Sequence, residues 1–114
     1  MKKFFFPKRS RLLTYKDYLF VFKKSAKNQT KNIVTLSCFN SLRHPRIGLI
    51  VAKKQVKQAN KRNYIKRIIR ESFRIYQHKL PNMDFIIIVQ KNIINDINQN
   101  TLAKELQNIW KSYH

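Results

Sequence analysis

The 114-residue sequence predicts an α+β fold, a two-layer α/β sandwich with helices packed on one mixed sheet. Three observations predict it. Hydrophobic residues make up 43% of the chain, enough for a modest core. Segments with helical spacing are interleaved with short β-branched runs. One Gly and three Pro leave little of the sequence to read as linker. The length fits a single domain over 1–114, with no internal repeat.

Residues 1–13 are basic, carry three aromatics and read as an irregular arm. Thr14-Tyr15-Lys16-Asp17 has the form of a capping box and opens a helix over 15–24. Tyr18, Val21 and Phe22 share one face of it, flanked by Leu19 and Phe20. Residues 25–31 are polar and read as loop. Ile33 to Phe39 is apolar and β-branched and reads as a strand. Asn40 to Pro45 is a turn, and Arg46 to Lys53 a second strand. That strand holds the only glycine, Gly48, which points either to a bulge or close backbone approach or to a gap beneath a packed helix.

A long helix follows over about 60–78, with Asn60 as its cap. Pro81 ends the connection. Asp84 leads into Phe85-Ile86-Ile87-Ile88-Val89, a continuous run suited to a strand buried on both faces. Residues 95–100 are polar. A last helix over about 99–112 places Leu102, Leu106, Ile109, Trp110 and Tyr113 on one stripe, with Trp110 in the core. An additional short strand is compatible with this order.

Charge narrows function more than fold. Twenty-five Lys and Arg face five acids, a net +20. So many like charges on a small surface repel one another, and a polyanion turns that repulsion into attraction. Nucleic acid is the leading partner and an anionic membrane surface the second. A stand-alone enzyme for a small neutral substrate fits poorly. The single Cys38 excludes an intramolecular disulfide and a cysteine-based zinc site, and reads as a small buried hydrophobe. His44, His78 and His114 lack ligand spacing, so no metal site is assigned. The basic start with Phe4-Phe5-Phe6 is too short in apolar residues for a signal peptide, and no run is long enough to span a membrane. The expected location is cytoplasmic.

The most informative segment is 53–74, where nine residues are Lys or Arg and one is acidic. At about 100° per residue, Ile65, Ile68, Ile69, Phe73 and Tyr76 cluster on one side, with Ser72 among them. Asn63, Lys66, Arg67, Arg70 and Arg74 cluster opposite. Arg62 lies nearer the apolar edge and points off the helix start. An ordinary solvated face mixes signs, whereas this one has only Glu71, off the stripe. Four of the eight Arg fall within 62–74, while Lys number seventeen. The guanidinium fork bonds phosphate bidentately and stacks on bases. A helix set between strands favours an α/β RNA binder over helix-turn-helix DNA recognition.

Arg46-Ile47-Gly48-Leu49-Ile50-Val51-Ala52-Lys53-Lys54, followed by Arg62-Asn63-Tyr64-Ile65-Lys66-Arg67-Ile68-Ile69-Arg70, resembles the protein subunits of bacterial ribonuclease P. The family signature is Arg-Asn-Arg-x-Lys-Arg-x-x-Arg, and only Tyr64 departs from it. Asp17-Tyr18 with Val21-Phe22, and the Asp84 to Val89 strand, extend the similarity over about residues 11–110. The resemblance implies a four-stranded mixed sheet with a left-handed βαβ crossover, the fold shared with the second domain of a small-subunit ribosomal protein. It also implies a role as the non-catalytic protein subunit of an RNA-based endoribonuclease. The catalytic RNA, with Mg²⁺ held mainly by RNA, removes the 5′ leader of precursor tRNA, and the protein binds both RNAs.

On that resemblance, Arg62, Asn63, Lys66, Arg67, Arg70 and Arg74 contact the catalytic RNA. Tyr18, Phe22, Lys53 and Lys54 belong to a leader-binding cleft, and Leu36 takes the place of a frequent strand aromatic. Spacing alone favours core packing for Tyr18 and Phe22, and both roles are compatible. No protein partner and no catalytic residue of the chain's own is implied. Asp17, Glu71, Asp84, Asp96 and Glu105 are scattered in sequence. Competing readings are another RNA binder such as a ribosomal protein, a protein-only nuclease, and a membrane-surface peptide.

Overall fold

The structure is a computed structural model that describes residues 11, 14–90 and 99–113. Helix α1 spans Tyr15–Lys24, strand β1 Ala26–Gln29, β2 Ile33–Phe39 and β3 Arg46–Ile50. Helix α2 spans Ala59–Tyr76 and runs into a single 3-10 turn at Gln77–Lys79. Strand β4 is Met83–Val89 and helix α3 is Gln99–Lys111. The arm over 1–13 lies outside the described residues except for Arg11, which forms an isolated parallel bridge to Ile47. The stretch 91–98, with Asp96, also lies outside them.

The sheet order is β1-β2-β4-β3. β1 and β2, and β2 and β4, run antiparallel, while β3 and β4 are parallel neighbours joined through α2. This is the four-stranded mixed sheet of the expected α+β class. Register assigns the faces. Ile33, Ile47, Phe85, Ile87 and Val89 point toward α2 and α3 and share one large core with them. Leu36, Cys38, Gly48, Ile50, Ile86 and Ile88 lie on the other face, which meets α1. That explains why 85–89 reads as unbroken apolar sequence: both sides of β4 are covered.

The core under α2 and α3 centres on Trp110, which is fully buried. Its ring meets Phe73 and Phe85 edge-on at centroid distances of 5.8 and 5.6 Å. Its indole N–H donates to Ser72 Oγ at 2.9 Å, which explains a serine on the apolar side of α2.

Three sequence expectations are corrected. Residues 25–31 are not all loop, because 26–29 form β1, an edge strand whose four side chains are exposed. Its pairing is backbone only, so no hydrophobic alternation announces it. The strand expected over 46–53 stops at Ile50, and 53–55 turn. Asn60 does not cap α2: the N-cap is Gln58, without a side-chain bond, and Asn60 Oδ1 accepts from its neighbour Lys61 N at 2.9 Å. The expected capping box at Thr14 is present, with Asp17 N donating to Thr14 Oγ1 and Thr14 N to Asp17 Oδ2.

Candidate nucleic-acid interface

Helix α2 carries the first half of the site. Its buried residues are Ile65, Ile68, Ile69, Ser72 and Phe73. That stripe fixes the rotation of the helix and turns the opposite face to solvent. Asn63, Arg67 and Arg70 are exposed there, with Lys66 and Arg74 half-buried beside them. The cations recur at three- and four-residue intervals, where like charges repel.

Two arginines do more than line the row. Arg62 Nη1 donates to the carbonyls of Val56 and Lys57 at 2.9 and 2.8 Å. It thereby ties the approach segment to the first turn, which lacks a side-chain cap. Arg74 pairs with Glu71 at 2.8 Å, so the one acid of the helix neutralises its last cation. The Arg67 guanidinium lies over the Tyr64 ring, 5.8 Å from its centroid. The residue that breaks the family signature is therefore in a cation–π contact with a cation of the row.

The second half is the groove between α1 and the sheet. Val21 is the one fully buried side chain of α1, packed with Cys38 and Ile86. Tyr18, Leu36, Ile50 and Ile88 pack around that small cluster but stay partly exposed. Phe22 is 46% exposed and is not a core residue. Tyr18 is intermediate, and its position explains Gly48. A Cβ at Gly48 would meet the Tyr18 ring and hydroxyl at 2.7–2.8 Å. Of the readings of the glycine, the gap beneath a packed helix holds, and the Tyr18 ring of α1 fills it. Lys53 and Lys54 are exposed on the turn that follows β3.

Folding also joins residues that sequence left apart. Arg46 Nε and Nη2 donate to Asp84 Oδ1 and Oδ2 at 2.8 and 2.6 Å. Asn40 Nδ2 adds a third bond to Asp84 Oδ1 at 2.9 Å. Asp17 Oδ1 stands 3.8 Å from Arg46 Nη1. The hydrogen bond to Asp84 holds the Arg46 guanidinium protonated even more firmly than usual. Burial pushes the Cys38 thiol up, and nearby Asp84 pushes it further. Asp17 and Asp84 are thus not scattered in space. Their available signal was an acid at each end of this arrangement, one before α1's apolar face and one opening a buried strand. Among the described residues no three His, Cys, Asp or Glu side chains cluster as a cation site. The acids that do meet are engaged by arginine and asparagine, so this set does not fit a resident Mg²⁺.

The family described as Ribonuclease P matches residues 6–114. The chain belongs to the ribonuclease P protein family. The ribonuclease P protein component of Pectobacterium atrosepticum is 47% identical over 113 residues, covering 99% of this chain and 94% of that protein. The Yersinia enterocolitica component is 46% identical over the same shares. Among solved structures, the Thermotoga maritima RNase P protein superposes with a TM-score of 0.82 at 29% identity, over 91% of this chain and 97% of that one. A Staphylococcus aureus RNase P protein mutant, described as defective in mRNA degradation activity, gives 0.85 at 28% identity, over 91% and 87%. The family resemblance read from 46–54 and 62–70 is therefore sound, and Tyr64 is a departure within the family.

Proposed function

We propose that this chain is the protein component of a ribonuclease P. It docks the outward row of α2 on the catalytic RNA and receives the 5′ leader of precursor tRNA in the groove beneath α1. Assembly with the RNA then assists endonucleolytic removal of the leader, leaving mature tRNA 5′ ends. The observation that carries this reading is the paired arrangement of an Arg- and Asn-bearing face on α2 and a half-open aromatic groove under α1. Phosphates suit the first, and unstacked bases suit the second.

Asn63, Lys66, Arg67 and Arg70 take the RNA contacts directly. Arg62 contributes mainly by holding the start of α2, and Arg74 by way of a cation already shared with Glu71. Tyr18 and Phe22 offer faces to leader bases, and Lys53 and Lys54 meet leader phosphates. The metal chemistry is assigned to RNA-bound Mg²⁺, because five acids serve the whole chain and those that meet are spoken for. No described helix is long and apolar enough to cross a membrane, in keeping with work in the cytoplasm.

The test is reconstitution. The purified chain should stimulate precursor-tRNA cleavage by the catalytic RNA at low Mg²⁺, with tighter binding of precursor than of mature tRNA. No change in either quantity would overturn the reading. Arg67→Ala or Arg70→Ala should weaken assembly and lower the salt slope by about one per lost phosphate contact.

A further inference from the structure

A second concavity lies at the other end of the sheet from the turn at 53–55. It has a volume of about 450 Å³ and is lined by Asp17 and Phe20 of α1, by Phe39 and Leu42, and by Arg46 and Asp84. Seven large apolar side chains are left exposed among the described residues, and three of them, Phe20, Phe39 and Leu42, line this one cavity. Phe39 is 76% exposed and Phe20 51%. Neither ring stabilises the core in proportion to its size. Grouped exposed apolar surface of this kind marks a binding site more often than scattered residues do.

The floor is polar and pre-formed. Asp84 is buried and has both oxygens engaged by Arg46 and Asn40. Asn40 also fixes the rim: its Oδ1 accepts from Leu42 N at 2.9 Å and its Nδ2 donates to His44 O at 3.2 Å. Arg46 Nη1, by contrast, approaches Asp17 only at 3.8 Å, beyond hydrogen-bond length. That edge of the guanidinium is placed to donate to an acceptor in the cavity.

Charge selects the ligand. The chain carries +20, yet two of its five acids stand here around one arginine. This is a poor place for a phosphate and a suitable one for a flat, uncharged group with hydrogen-bond acceptors. A nucleobase has those properties, and a volume of 300–1,000 Å³ is ordinary for a small-ligand site, on the order of what a base and its ribose need. Helix α1 also links the two sites, since Tyr18 packs at the groove and Asp17 and Phe20 line the cavity.

We propose that this cavity is a separate RNA subsite that takes one unpaired nucleobase against the rings of Phe20 and Phe39, with Arg46 as its donor. The proposal rests on the reading of the chain as an RNA-binding subunit. The base comes either from the precursor leader or from the catalytic RNA.

The experiment uses reconstituted holoenzyme and precursor tRNA with 2-aminopurine placed singly along the leader. In one arm, wild type and Phe39→Tyr should quench one labelled position. Phe39→Ala and Phe20→Leu should lose that quench and bind precursor about tenfold more weakly. In the other arm, assembly with the catalytic RNA is measured without substrate. A tenfold loss there, with no quenched leader position, places the base in the catalytic RNA and equally supports the subsite. Wild-type affinity of Phe39→Ala and Phe20→Leu in both arms overturns it. Arg67→Ala runs alongside: if it weakens assembly while the Phe variants match wild type in both arms, the cavity fails and the subunit reading stands.

Discussion

The two faces of the sheet are finished differently. Toward α2 and α3, Ile33, Ile47, Phe85, Ile87 and Val89 vanish under two long helices and a buried tryptophan. Toward α1, a helix of ten residues closes over Val21, Cys38 and Ile86 and leaves Tyr18, Leu36, Ile50 and Ile88 half-covered. The first face supplies stability, and its helix α2 presents cations outward as a by-product of burying its isoleucines. The second face is short of cover, and the shortage is what makes a groove. A small domain can thus keep one face for folding and leave the other available for ligand.

The largest expected effect tests that division directly. Trp110→Ala should cost about 3–5 kcal/mol of stability, because it opens a cavity between α2, α3 and β4 and strands the Ser72 hydroxyl. Phe22→Ala on the opposite face should cost less than about 1 kcal/mol while weakening leader binding. Denaturant melts of the two variants check this. Equal losses would make the α1 face an ordinary core and break the comparison.

Asp84→Asn comes next. It removes the carboxylate that Arg46 and Asn40 share, at a site where Asp84 itself is buried. A loss of about 3 kcal/mol is expected in a thermal or urea melt, since Arg46 is left without its partner. A loss as small as that of a surface ion pair would show that the corner of α1, β3 and β4 is less rigid than its bonds imply.

Gly48→Ala should cost about 1–3 kcal/mol, because its Cβ must displace the Tyr18 ring. The penalty should shrink in a Tyr18→Ala background, and the double-mutant cycle gives the coupling. Strictly additive losses would mean that the ring does not rest on the glycine.

The smallest effect concerns pH. Burial raises the Cys38 thiol above its ordinary 9.0, so the unfolded chain loses that proton first as pH rises. The contribution of the buried thiol is complete below about 9 and is lost as pH climbs through the raised folded value. Wild type and Cys38→Ala should therefore converge in stability as pH rises above about 9. A gap independent of pH would show that the thiol side of the α1 face is open to water.

Much of the fold was legible because local periodicity reports burial. The capping box at Thr14, the stripe of α2, the run at 85–89 and the stripe ending at Trp110 all appear where the pattern puts them. The α2 row was legible for the same reason: an apolar face dictates its opposite. Less was legible where pairing leaves no mark on side chains. β1 has four exposed residues and is held by backbone bonds to β2, so nothing in 26–29 distinguishes it from loop. The role of Arg62 was only half visible, since its bonds to Val56 and Lys57 depend on how the segment before α2 bends.

The sequence by itself determined where the three helices and the strands with buried side chains lie, which side of α2 faces water, and that a +20 chain needs an anionic partner. Those properties follow from spacing and charge along a continuous chain. Only the tertiary structure decided that Tyr18 lies on Gly48, that Phe22 stays out of the core, and that Asp17, Arg46 and Asp84 meet beside Phe20 and Phe39. These depend on strand register and on where α1 lands on the sheet. Contacts between residues tens of positions apart are set by that packing, and no local period encodes it.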